Sequence, residues 1–235
     1  MADMIPTLTG YAPPVVDTSE KDYKVPRKLI QAAKPVTRKL WRAGKILDQG
    51  NTSTCVEASF RGFGRASPVR QEFAEPYGAI YDWCQRHDEW AGQDYEGTSV
   101  HAVMDYALKN GIVESYEWAR NVDELEAHLL IRGCAIAGTT WTWDMFQPDR
   151  WGYIRPGGGN AGGHAWLIRG VDTEKGDPLS KIRGRFTKRG AFIKRGSWGL
   201  SWGDQGEALV ARDDMAALIE DYGEIALPIE IKPTA

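Results

Sequence analysis

Three short segments carry residue types that together can perform nucleophilic chemistry on a carbonyl. Such chemistry needs a thiolate, a base to generate it, and donors for the oxyanion that forms on attack. The segment QGNTSTC (49–55) ends in a thiol, Cys55, six residues after an amide side chain, Gln49. The segment GGHAWLIRGVD (162–172) sets His164 at the mouth of an apolar run, so its imidazole can face a cleft while the strand behind it is packed. The segment GSWGLSWGDQG (196–206) is too rich in Gly and Trp to be an ordinary strand end.

The elements that must position these residues are legible from periodicity. Thr52, Ser53 or Thr54 can cap a helix over CVEASFRGFGRA (55–66), with Val56, Phe60 and Phe63 on one side. Cys55 then lies in the helix's first turn, where the N-terminal dipole lowers a thiol's pKa and the Cys55 backbone N–H is an oxyanion donor beside the Gln49 amide. Further helices are expected over PYGAIYDWCQRHDEW (76–90), TSVHAVMDYALKNG (98–111) and VDELEAHLLIRG (122–133). Strands follow at CAIAGTTW (134–141), HAWLIRGVD (164–172), GAFIKRGSW (190–198) and GEALVARD (206–213). Helices first and strands afterwards imply an α+β protein with two segregated lobes and a cleft between them. Residues 1–36 carry Pro6, Pro13, Pro14, Pro26 and Pro35 with little periodicity and read as an extended arm. The domain proper is expected over 37–235, its helical lobe at about 53–130 and its β lobe at about 131–230.

The three segments, in this order, resemble the papain-like cysteine peptidases. That family shows a Gln-Gly pair with the Gln six residues before a helix-opening catalytic Cys, then a His-Ala strand, then an Asn-Ser-Trp-Gly-x-x-Trp-Gly loop. Between them, Glu96-Gly97-Thr98-Ser99, followed by a helix and Lys109-Asn110-Gly111-Ile112, is similar to the family segment that pairs with an extended substrate. The resemblance covers roughly residues 36 to 212. It implies the two-lobe papain-like fold, a helical lobe facing an antiparallel, barrel-like β lobe. It also implies Cys55 as nucleophile, His164 as base and then acid, and Gln49 as oxyanion donor. Gly97, Thr98, Gly163 and Trp198 become the substrate-side residues, with Trp198 also shielding the imidazole, and Ala135, Trp141 and the Trp166 neighbourhood become pocket walls. The implied activity is thiol-dependent hydrolysis of a peptide or protein substrate, with no cofactor and no metal.

The pattern departs from the family at several positions. The Asn that orients the histidine is Gly196 here, and no shift of Phe192-Ile193-Lys194-Arg195 restores an amide. A backbone carbonyl, a water or a residue such as Asn160 would have to take that role. Gly196 leaves open a weakly active or non-catalytic binding protein of this fold, as well as a cell-wall peptide hydrolase or acyl transferase. Val56 stands where a Trp commonly follows the nucleophile, and Thr52 replaces a disulfide cysteine. The stretch before Cys55 is expected to be too short for both the usual start of a mature enzyme and a large inhibitory propeptide.

Composition excludes other classes. A net charge of −3 with 42% hydrophobic and 26% charged residues points to neither nucleic acid nor membrane surface. No export signal or membrane-length apolar stretch is visible, and three cysteines cannot complete a disulfide framework, which suits a reducing compartment. Cys84 and Cys134 read as buried inert thiols, and His87, His101 and His128 lack metal-ligand spacing. The basic cluster from Lys181 to Arg195, broken by Gly184 and Gly190, reads as a solvated loop or hairpin.

Overall fold

Every second side chain of a strand points to the same face, and in the longest strand of this chain the two faces enter different cores. The computed structural model describes Tyr11 and residues 25–93, 95–179, 189–221 and 223–230. In the strand β4 (Asn160–Asp172), Ala165 and Leu167 join an apolar core built mainly by helices. Trp166 and Ile168 join a second core on the other side. Around β4 the described chain runs α1 (Arg27–Ala33), β1 (Arg38–Leu40), α2 (Cys55–Arg65), α3 (Ala79–Gln85), α4 (Val100–Lys109), β2 (Val113–Trp118), α5 (Val122–Ile131) and β3 (Ala135–Thr142). After β4 come β5 (Ala191–Arg195), β6 (Glu207–Ala211), α6 (Arg212–Glu220) and β7 (Glu224–Glu230). The strands form one antiparallel sheet in the order β2-β7-β3-β4-β5-β6, and β1 pairs with the far end of β4 beyond the reach of β3. The architecture is α+β, with helices α2, α3 and α4 grouped on the first core.

Helix α2 is buried on almost every side, so its polar residues need internal partners. Glu57 accepts from Arg61 Nε at 2.7 Å, from the Gly78 amide at 3.0 Å and from the Tyr81 amide at 2.9 Å. Arg61 in turn donates to the Glu75 and Pro76 carbonyls at 2.8 and 2.9 Å. Ser59 returns its hydroxyl to the Cys55 carbonyl at 2.7 Å. Through these bonds α2 holds the connection into α3 as well as its own first turn.

Several elements differ from the sequence expectation. Residues 27–33, read as part of an extended arm, form α1; Pro26 and Pro35 bracket the helix, and Leu29 and Ala33 bury against α5. Strand β2 lies in the half read as helical and pairs with β7, an element that the sequence reading did not assign, as it did not assign α6. Side-chain capping of α2 is absent, since Thr54 bonds instead to Thr52 and the Tyr77 hydroxyl. Capping does occur at α4, where the Ser99 hydroxyl accepts from the Ala102 amide at 3.1 Å.

The basic cluster also divides. Lys181, Arg183, Arg185 and Lys188 lie outside the described residues. Arg189 is exposed beside Glu174, and Arg195 donates to Glu207 at 2.9 Å. Lys194, read as solvated, is completely buried, because it shares the inward face of β5 with Phe192.

Glu57→Ala leaves the Arg61 guanidinium buried beside two backbone N–H groups that have lost their acceptor. Denaturant unfolding is expected to show a loss of about 3–5 kcal/mol.

Candidate active site

Cys55 opens α2 as a fully buried thiol, and β4 lies directly against it. The amide of Ala165, the residue after His164, donates to Cys55 Sγ at 3.3 Å. The sulfur therefore lies against the backbone of β4 at the residue that follows His164. His164 pairs in register with Thr139 of β3, which fixes its depth in the sheet.

The imidazole is enclosed by aromatic rings. Trp198 stacks on it at a centroid distance of 4.4 Å and an angle of 20°, and Trp141 meets it edge-on at 4.8 Å and 72°. Trp202 closes the cluster against Trp198 at 5.1 Å. Burial pushes the His164 pKa well below the usual histidine value, and the nearby Lys194 charge pushes it the same way. The ring is thus neutral around neutral pH, the state a base requires. Its Nε2 is buried without a hydrogen-bond partner among the described residues.

Gln49 is locked beside this cluster. Its backbone N–H donates to the Ser197 carbonyl at 2.7 Å, and its side-chain oxygen accepts from the Ser197 hydroxyl. Its Nε2 donates to the Thr52 carbonyl at 2.6 Å, so the second hydrogen on that nitrogen is left for another acceptor. The adjacent Asp48 forms an antiparallel bridge with Trp198, which joins the segment before Cys55 to the loop after β5.

The residues expected on the substrate side already have partners within the chain. Tyr11 makes a parallel bridge with Thr98, and its chain lies so close to β3 and β4 that a Cβ at Gly138 would meet its ring at 2.3 Å. A Cβ at Gly163 would meet the Tyr11 carbonyl at 2.2 Å. Gly97 donates its amide to the Tyr81 hydroxyl at 2.9 Å, and its carbonyl accepts from Gln85 at 3.2 Å. The Thr98 side chain is turned inward to Asp88 at 2.7 Å. Beneath Tyr11 lies Glu224, buried, accepting from the Val100 amide at 3.0 Å. The Tyr11 hydroxyl is buried in its field, and burial together with that charge keeps the phenol protonated.

Some expected placements fail. Ala135, Trp141 and Trp166, expected as pocket walls, are wholly buried in the sheet core, where Trp141 touches the imidazole. Asn160 is exposed at the start of β4, bonded to the Gly162 amide at 2.7 Å, and does not orient His164. Sequence reasoning missed Tyr11, Glu224 and Lys194; the inward alternation of Phe192 and Lys194 was the one available indication for the last. Among the described residues no cluster of His, Cys, Asp or Glu is set to hold a metal ion, and no helix is long and apolar enough to cross a membrane.

A helix-borne cysteine set against a His-Ala strand of an antiparallel sheet is the arrangement of the papain-like fold, and this chain has that fold. The structure of xylellain, a cysteine protease from Xylella fastidiosa, matches with a TM-score of 0.70 and 16% identity over 95% of this chain and 96% of its own. Digestive procathepsin L 3 from the larval midgut of Tenebrio molitor matches with 0.61 and 13% over 95% and 75%. Bromelain from Ananas comosus, in complex with the E64 inhibitor, matches with 0.56 and 12% over 83% and 99%. No protein-family model and no curated protein sequence matches the chain.

Burial raises the Glu224 carboxyl to about 8, with Glu89 adding to the shift and the Val100 amide opposing it. A carboxyl whose folded pKa lies above its unfolded value makes the folded state bind more protons in between, so its contribution to stability is present at acid pH and is lost as pH rises towards 8. The stability difference between wild type and Glu224→Gln is expected to change by roughly 4 kcal/mol between the two pKa values, measured by denaturant unfolding across pH.

Proposed function

We propose that the chain is a thiol-dependent peptidase that cleaves peptide bonds through a Cys55 acyl-enzyme. The observation that carries this reading is the seating of Cys55 at the first turn of α2, with the His164-Ala165 strand held against its sulfur by the 3.3 Å amide bond. In this reading His164 Nδ1 takes the Cys55 proton, and the thiolate attacks the substrate carbonyl. The second Gln49 N–H and the Cys55 backbone N–H donate to the developing oxyanion. His164 returns its proton to the leaving amine, and water then cleaves the thioester with the same residue as base. Trp198 and Trp141 keep bulk water from the imidazole. Gly97, Thr98 and Gly163 are the main-chain surface for an extended peptide, which gives affinity with little sequence preference.

An epoxide or vinyl-sulfone probe is expected to label wild-type protein at Cys55 under reducing conditions and to leave Cys55→Ala unlabelled, with mass spectrometry locating the adduct. Absence of labelling together with peptide binding that survives Cys55→Ala would establish a binding protein instead.

Tyr11 lies on the Thr98 and Gly163 surface, so a peptide has to displace it. Tyr11→Ala is expected to lower KM for short peptides with little change in kcat, because only the fraction of molecules with an open surface binds substrate.

A further inference from the structure

The loop that enters α2 and the segment that enters α4 are tied together by one side-chain bond: the Ser53 hydroxyl donates to Glu96 Oε2 at 2.8 Å. Ser53 stands two residues before Cys55, and Glu96 immediately before Gly97. The bond therefore crosses from the candidate nucleophile to the candidate main-chain surface. Two tyrosines brace the same strip. The Tyr77 hydroxyl bonds to Thr54 at 2.9 Å, and the Tyr81 hydroxyl accepts from the Gly97 amide at 2.9 Å.

The charge at this crossing is not answered. Glu96 is exposed, and among the described residues no Lys, Arg or His pairs with its carboxylate. Arg61, whose guanidinium stands 5.7 Å from the Tyr77 ring centroid, is committed to Glu57 and to the Glu75 and Pro76 carbonyls. Asp82 of α3 is exposed as well, and the Tyr81 phenol lies in the fields of Glu96, Asp82 and Cys55 together. One side chain thus feels both the Glu96 carboxylate and the thiol.

The direction of a bound peptide follows from the chemistry. The attacked carbonyl lies over Cys55 and the Gln49 amide, and the leaving amine lies on the His164 side. The acyl part of the peptide then runs along Gly97 and Thr98. The residue that supplies the carbonyl passes between Cys55 and Gly97, where the bond from Ser53 to Glu96 crosses. That bond holds the carboxylate in place and uses one of its acceptor sites, leaving the others for a second donor. An ammonium or guanidinium on a long methylene stem meets this geometry, and the exposed Tyr77 ring is an apolar surface for the stem.

We propose that Glu96 selects peptides with a basic residue, Lys or Arg, immediately N-terminal to the scissile bond, its carboxylate pairing with that side chain while Ser53 holds it in position. The proposal rests on the thiol-peptidase reading and adds a substrate class to it. Glu96 makes and breaks no bond. It binds substrate and transition state alike, so the preference is expected in KM and kcat/KM rather than in kcat.

The test uses the full chain and two fluorogenic peptides that differ only in carrying arginine or citrulline at that residue, because citrulline keeps the shape of arginine without its charge. Wild type is expected to cleave the arginine peptide with a kcat/KM about 5-fold higher, the upper range for one solvent-exposed ion pair. The advantage is expected to shrink as salt screens the pair. Displacement of Tyr11 is common to both peptides and cancels in the ratio. Glu96→Gln keeps an acceptor for Ser53 and removes the charge, and it is expected to bring the ratio to about 1. Glu96→Lys is expected to reverse it in favour of citrulline. A bracing role alone would leave the ratio of Glu96→Gln where wild type has it.

Equal kcat/KM for the two peptides in wild type overturns the proposal, as does a preference that survives in Glu96→Gln. If neither peptide is cleaved, the same pair is titrated against Cys55→Ala by fluorescence anisotropy. Tighter binding of the arginine peptide that is lost in Cys55→Ala/Glu96→Gln would retain the selection and remove the peptidase reading. Equal binding of the two peptides, or none, would overturn the selection as well.

Discussion

The hydrogen bond from the Ala165 amide to the Cys55 sulfur lies on the seam where the two apolar cores meet, and the candidate site exists because of that seam. Cys55 belongs to the core of helices, and the tryptophans around His164 belong to the core beneath the sheet. Strand β4 serves both, since its alternate residues enter opposite cores. A shift of one residue in its register would exchange the two faces and carry His164 away from its rings. Pairing with β3, β5 and β1 along its length makes such a shift costly.

Buried charge is handled in two ways in this molecule. Where it supports the frame it is matched: Glu57 with Arg61, and Arg155 with Asp149, Asp177 and Asp214. Elsewhere burial instead disfavours the charged form, as the raised Glu224 carboxyl and the lowered Lys194 amine illustrate. The aromatic box has the complementary effect. By excluding water it keeps His164 neutral and makes the placement of single protons decisive.

Tyr11 belongs to the same account. Its backbone occupies the strand-like surface at Thr98, and its ring fills the space kept open by Gly138 and Gly163. This surface is thus already covered by Tyr11 of the same chain.

Cys55, Gln49, His164 and Trp198 were legible in the sequence because each sits at a local transition: a cap run before a helix, a Gly pair before a strand, a Trp-Gly loop. Spacing within such a segment is a property of the chain alone, and so were α2, α4, α5 and the strands β3 to β6, whose periodicity is long enough to read. The helix α1 was hidden because prolines mark a helix's ends as readily as its absence. The strands β2 and β7 are defined by each other across more than a hundred residues, a pairing that no local pattern contains. Tyr11, Glu224 and Lys194 acquire their character only from what surrounds them. A lysine in a basic stretch reads as solvated until the fold turns that face of β5 inward, and only the glycine two residues later leaves room for its amine. Local sequence determined which groups of the candidate dyad are present. The tertiary structure decided their protonation and their neighbours, because desolvation and proximity are properties of the packed whole.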